Sequence, residues 1–162
     1  MKKIKHYNIM LVEDEELLRQ SLARHIDALD NGYKVVCQAM DGQEALDALK
    51  QEDIHLIITD IRMPVMDGLT LARTIHQQYP HILTVILSGY ADFQYAQEAL
   101  RQGVFDYLLK PVTRESLEST LGKASLALQK YYELEEDTSM AGKDSHRRLR
   151  GSLYPQSLHG RY

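Results

Sequence analysis

Short apolar runs alternate along this chain with longer stretches whose apolar residues recur at helical spacing. Tyr7-Asn-Ile-Met-Leu-Val12 is followed by the acidic Glu13-Asp-Glu-Glu16 and then by Leu17, Leu18, Leu22 and Ile26, which reads as strand, turn and helix. The alternation predicts strands over Tyr33–Ala39, Ile54–Thr59, Leu83–Leu87 and Asp106–Leu109. It predicts helices over Gly42–Lys50, Leu69–Gln78, Asp92–Gln102 and Thr113 to about Tyr132. Asp41 with Glu44 three residues on marks a helix start, and Gly103 marks a helix stop. Ile54 to Ile58 and Thr84 to Leu87 are almost continuously apolar, as expected of central parallel strands covered on both faces. Five βα rounds therefore predict an α/β fold built on a doubly wound sheet.

The last helix carries Leu117, Leu121, Ala124, Leu128 and Tyr131 at a period near 3.5. Much of that stripe must cover the sheet, and the part past Leu126 is expected to overhang and meet a partner subunit. Cys37, Met40 and the leucines of the helices are assigned to the core. Past Tyr132 the chain turns acidic and then rich in Ser, Gly, His and Arg. Residues 1–132 are expected to form the domain, and residues 133–162 a linker or tail that is largely disordered. Between Ala141 and Tyr162, Lys143, Arg147, Arg148, Arg150 and Arg161 stand against Asp144 alone, a net +4. A solvated linker is the plainer reading of that cluster, and contact with nucleic acid the sharper one.

With 162 residues, 44% of them hydrophobic, the chain has enough apolar material for one core of ordinary size. Its formal charge of -4 gives no basic footprint of the kind nucleic-acid-binding domains carry. Cys37 is the only cysteine, which excludes an internal disulfide and any multi-thiolate metal site within one chain, and suits a reducing cytoplasm. No apolar stretch approaches the ~20 residues that cross a bilayer, and no signal-peptide pattern opens the chain, so no membrane partner is expected. The seven histidines form no metal-ligand spacing.

Candidate chemistry collects where an open parallel sheet binds ligands, at the carboxyl ends of its strands. Glu13 and Asp14 end the first strand, Asp60 the third, Ser88 the fourth and Lys110 the fifth. Carboxylates meeting there at ~4 Å repel by ~4 kcal/mol per pair at an effective dielectric of ~20. A hard cation such as Mg²⁺, which takes oxygen ligands and keeps several waters, would relieve that repulsion. An aspartate so held is a plausible nucleophile toward phosphorus, and Lys110 and the Ser88 hydroxyl suit the negative charge of a transferring phosphoryl group. Each residue also has a plainer reading: Asp60 as a turn or cap residue, Lys110 as a surface lysine, Ser88-Gly89 as a turn, Tyr107 as packing. Their joint occurrence in this order favours the chemical one.

In that order the chain resembles the receiver domains of two-component response regulators. Ile57-Ile-Thr-Asp-Ile-Arg-Met-Pro-Val-Met-Asp-Gly68 is similar to the family's phosphoacceptor strand and loop, Leu11-Val-Glu-Asp-Glu15 to its acidic pair, Leu87-Ser-Gly89 to its hydroxyl switch, and Asp106-Tyr-Leu-Leu-Lys-Pro111 to its lysine and proline. The resemblance spans about residues 5 to 130 and implies a flavodoxin-like sheet of order 2-1-3-4-5. It implies Asp60 as phosphoacceptor, and Mg²⁺ (or Mn²⁺ in its place) held by Glu13, Asp14, Asp60 and the backbone carbonyl of Arg62. Lys110 would contact the phosphoryl group, and Ser88 and Tyr107 would form the two-state switch. The Lys110–Pro111 bond would be cis. Glu13, where aspartate is commoner, departs mildly from the pattern, and so does Ser88, where threonine is about as common.

The resemblance further implies a sensor histidine kinase or phosphotransfer protein as donor, read mainly by the first helix around Leu17 to Arg24. It implies a signalling switch that assists only its own phosphorylation and dephosphorylation, rather than an enzyme. Leu87 to Ala99 and Gly103 to Val112 resemble receivers that precede AraC-type DNA-binding domains. About 30 residues past the last helix are too few for such a domain, so any contact with DNA is expected only through an effector domain outside these residues. A receiver acting alone through protein contacts is the alternative. Two other functions fit less well. Haloacid-dehalogenase-type phosphatases carry a second aspartate two residues after the nucleophile, where this chain has Arg62. A flavodoxin-like cofactor binder needs a phosphate cradle after the first strand, where Glu13-Asp-Glu-Glu16 would repel it.

Overall fold

The fold was obtained as a computed structural model. It describes residues 6–141, with side chains described through residue 136. Five parallel strands, β1 (Tyr7–Val12), β2 (Tyr33–Ala39), β3 (Leu56–Asp60), β4 (Leu83–Ser88) and β5 (Asp106–Leu109), form one sheet of order β2-β1-β3-β4-β5. The helices between and after them are α1 (Glu16–Leu29), α2 (Gly42–Leu49), α3 (Gly68–Gln78), α4 (Phe93–Arg101) and α5 (Arg114–Ala141). A 3₁₀ turn, Tyr90–Asp92, precedes α4, so the α-helix begins one residue later than the sequence pattern predicts. The other boundaries fall close to those expected, β3 being shifted to end on Asp60, except the end of α5.

Alternation along the central strands explains the two-faced core. In β1, Ile9 and Leu11 face one layer and Met10 and Val12 the other; in β3, Leu56 and Ile58 oppose Ile57. The first layer is closed by Leu22 and Ile26 of α1 and by Leu117, Leu121, Ala124 and Leu128 of α5. The second is closed by Ala45 and Leu49 of α2 and Leu71 and Ile75 of α3. Ala96 and Ala99 of α4 pack with Ile86 and Ile61 in a smaller cluster. The α5 stripe thus covers the sheet as its period predicts.

Local chemistry sets the helix ends. Asp41 Oδ1 accepts the Glu44 N–H at 2.8 Å, while Glu44 reaches back to the Met40 N–H, one residue before the usual partner in a capping box. Gly103 takes φ +105, the left-handed conformation that ends α4, and a Cβ there would meet the His76 ring. The Lys110–Pro111 bond is cis.

Several expectations need correction. Leu17 is 83% exposed and Leu126 69%, because each lies off the buried stripe of its helix, that of Leu22 and Ile26 in α1 and that of Leu121, Ala124 and Leu128 in α5. Met40 is 51% exposed, because it follows β2, an edge strand. Cys37 is only half-buried on that same strand. α5 also runs past Tyr132 to Ala141, so the first part of the supposed tail is helix; the remainder, with Arg147, Arg148 and Arg150, lies outside the described residues.

Candidate functional site

The register of the sheet builds the site. Val12 pairs with Thr59, which brings Glu13, the next residue of the chain, level with Asp60 on the adjacent strand. Asp60 pairs with Leu87, so Ser88 stands one step beyond it on β4. Ser88 pairs with Leu109, which sets Lys110 just past the end of β5, where its N–H donates to the Ser88 carbonyl at 2.8 Å. Residues far apart in sequence thereby meet along one rim.

At that rim, carboxylate oxygens of Glu13, Asp14 and Asp60 all lie within 4.8 Å of one another. Lys110 Nζ stands 3.0 Å from Asp60 Oδ2 and 3.3 Å from Glu13 Oε1. Asp60 Oδ1 accepts the Ile61 N–H at 2.8 Å. Glu13 is 1% exposed, Asp60 is buried and Asp14 is open to solvent. Burial pushes the Glu13 carboxyl up to about 7; its hydrogen bond to Asp14 and the charge of Asp60 push the same way, against the Glu15 N–H and Lys110. For Lys110, burial favours the neutral amine, but the hydrogen bond and charge of Asp60, and then those of Glu13, outweigh it and hold the pKa above its ordinary value. One lysine therefore leaves three clustered acids short of positive charge. Hard carboxylate oxygens at this spacing, with one member open to solvent, fit Mg²⁺ or Mn²⁺.

Two glycine- and arginine-based devices hold this arrangement. Gly68 donates its N–H to the Ile61 carbonyl at 2.7 Å, and a Cβ at Gly68 would fall on the Asp60 carbonyl oxygen. The loop after Asp60 can thus fold back against its own strand only with glycine at that point. Behind Glu13, the buried Arg19 donates from Nη1 to the Glu13 carbonyl at 2.7 Å and from Nε to Gln38 Oε1 at 3.0 Å. Arg19 was not singled out in the sequence, where a lone arginine among helical leucines looks like any solvated side chain.

Ser88 is fully buried, and its hydroxyl donates to the Gly89 carbonyl at 3.0 Å. Tyr107 is half-buried, edge-on to Phe93 with ring centres 5.9 Å apart. The Arg62 side chain is engaged by other partners: Nε donates to Asp92 Oδ1 at 2.7 Å, and the guanidinium lies 5.6 Å from the centre of the Tyr95 ring. Asp92 is a second residue that sequence reasoning passed over. No acid stands at position 62, and its guanidinium is engaged, so the arrangement lacks the acid/base partner that a phosphoester hydrolase of the haloacid-dehalogenase type would use.

A family model, that of the response regulator receiver domain, matches residues 9–122. The chain is 36% identical over 115 residues to the uncharacterized transcriptional regulatory protein YesN of Bacillus subtilis, covering 71% of this chain and 31% of that protein. It is 37% identical over 117 residues to the transcriptional regulatory protein HptR of Staphylococcus aureus, covering 72% and 46% respectively. The chain therefore spans less than half the length of these curated relatives. Among solved structures, the REC domain of AraT, a response regulator from Geobacillus stearothermophilus, superposes with a TM-score of 0.71 at 34% identity, covering 76% of this chain and 96% of that one. Among the described residues no helix is long and apolar enough to cross a membrane.

Proposed function

The chain belongs to the response regulator receiver domain family of two-component systems, and from that premise we propose that Asp60 accepts a phosphoryl group from a phosphohistidine on a sensor histidine kinase or phosphotransfer protein. The observation that carries the reading is the meeting of Glu13, Asp14, Asp60 and Lys110 at one rim of the sheet. Glu13, Asp14, Asp60 and the Arg62 carbonyl would hold the cation. Bound there, Mg²⁺ supplies the positive charge that keeps the acids ionised and opposes the charge on the phosphoryl oxygens.

Asp60 Oδ2, the oxygen beside Lys110, provides the electron pair for the new O–P bond. As that bond forms, the N–P bond of the donor breaks and its pair returns to the imidazole nitrogen. Lys110 turns its ammonium from the Asp60 carboxylate to the transferred oxygens, and no proton need leave it, because its partners keep it charged. Ser88 exchanges the Gly89 carbonyl for a phosphoryl oxygen, and Tyr107 moves from Phe93 into the space released; these motions are the switch. The reaction is a self-modification, so the protein is a switch and not a turnover enzyme.

The output we propose is control of transcription, through an effector domain outside these residues, consistent with the names of the longer relatives. Leu126 and Leu134, exposed on α5, suit a homodimer contact. Incubation with Mg²⁺ and acetyl phosphate is expected to add the mass of one phosphoryl group, and the change Asp60→Asn to abolish the gain. A gain that survives Asp60→Asn refutes the assignment.

A further inference from the structure

One contact joins the loop that follows Asp60 to the turn that follows Ser88. Arg62 stands two residues past Asp60, and its Nε reaches Asp92 Oδ1 at 2.7 Å with the guanidinium 5.6 Å from the Tyr95 ring centre. Asp92 closes the Tyr90–Asp92 turn, and its N–H donates to the Gly89 carbonyl at 3.1 Å. That same carbonyl accepts the Ser88 hydroxyl. The resting position of Ser88 and the Arg62 contact therefore share one turn. A Ser88 that leaves Gly89 for a phosphoryl oxygen disturbs a segment whose far end is tied to the loop after Asp60.

We infer that the Arg62–Asp92 pair, with Tyr95 against the guanidinium, is a latch that holds the Gly89–Asp92 turn, and through it Ser88, in the resting position. Arg62 and Asp92 are then positioning residues that set how readily modification of Asp60 becomes the switched conformation. The inference rests on the Asp60 reading given above. A partly exposed ion pair and an arginine–aromatic contact are each modest, so releasing both shifts the balance of resting and switched forms by roughly threefold to tenfold. The planar guanidinium donates to Asp92 and lies over the Tyr95 ring at once, whereas a compact ammonium can donate to Asp92 but matches both contacts together less well.

Asp92 makes no side-chain cap bond to α4, so Asp92→Ala removes the latch without removing a helix cap. Arg62→Met removes it from the other side. Beryllofluoride with Mg²⁺ serves as the phosphoryl mimic, and the amide shifts of Ser88 and Tyr107 without it report the resting balance. Each variant is expected to bind beryllofluoride about threefold to tenfold more tightly and to displace both shifts toward their saturated positions. Arg62→Lys, which keeps a donor for Asp92, should fall between the wild type and Arg62→Met, and the double variant should match Arg62→Met, because Asp92 acts only through Arg62. A role in stability alone would lower the melting temperature and leave affinity and shifts in place. Unchanged shifts and affinity, or effects that add in the double variant, overturn the latch while leaving the Asp60 reading intact, provided the wild type binds beryllofluoride in an Asp60-dependent way. If the wild type does not, both fall.

Discussion

Replacing Lys110 by Met tests the electrostatics of the site most directly. The ammonium lies 3.0 Å from Asp60 and 3.3 Å from Glu13. At an effective dielectric of ~20, each of these contacts carries roughly 5 kcal/mol of gross attraction. Most of that is offset by the desolvation of the three groups, and breaking a buried ion pair by removing one member costs about 3–5 kcal/mol. The Lys110 head is partly open to solvent, which places the expected loss near 2–3 kcal/mol in the absence of a divalent cation. Methionine keeps the apolar stem, so the loss reports charge and not a cavity. Loss of the ammonium leaves the rim more negative, so the variant should bind Mg²⁺ about tenfold more tightly than the wild type, which at saturating metal returns about 1.4 kcal/mol of the deficit. Urea unfolding with EDTA should therefore show the full deficit, and unfolding at saturating Mg²⁺ a deficit reduced by about half. The variant should also take the phosphoryl group from acetyl phosphate at least ~10-fold more slowly, since a donor to the transferring oxygens is gone. Equal stability of variant and wild type in EDTA, or the same deficit with and without Mg²⁺, would refute the charge balance described for the rim.

Gly68→Ala should cost about 3 kcal/mol in urea unfolding and suppress labelling of Asp60, because the added methyl meets the Asp60 backbone, which cannot yield as a side chain tip would; wild-type stability would show that the loop is not clamped there. Asp67→Ala removes the acceptor of the Thr70 N–H at the start of α3, and a loss of about 1 kcal/mol is expected by denaturation, with Asp60 still able to accept phosphorus. His55 is buried between Tyr7 and Tyr132, and its Nδ1 accepts the Asn8 N–H at 2.9 Å. Burial lowers its pKa; Asp53 opposes that shift, and His6 and His81 add to it. Its contribution to stability is thus complete above the unfolded value of about 6.5 and declines as pH falls through it toward the lower native value. Unfolding free energies at pH 7.5 and 5.5 should differ more for the wild type than for His55→Gln, and equal slopes would exclude this histidine as the cause.

The sequence alone determined the fold class, because five apolar runs separated by amphipathic helices admit few arrangements besides a doubly wound parallel sheet. It also determined which residue types gather at the carboxyl rim, since strand ends are legible as the points where apolar runs stop at Glu13, Asp60, Ser88 and Lys110. Which strands are neighbours came only through the family resemblance, and the structure bears that order out; the register and the contacts it makes were not legible. Lys110 lies 97 positions from Glu13, and only the order β2-β1-β3-β4-β5 brings the two within 3.3 Å. The same limit hid Arg19 behind Glu13 and Asp92 beside Arg62, whose roles consist of partners distant along the chain. It also misplaced Met40, which follows an edge strand, and Leu17, which lies off the buried stripe of α1: an apolar residue is covered only where the assembled sheet and helices reach it. Periodicity is a local property of the chain, whereas contact and charge balance belong to the assembled sheet.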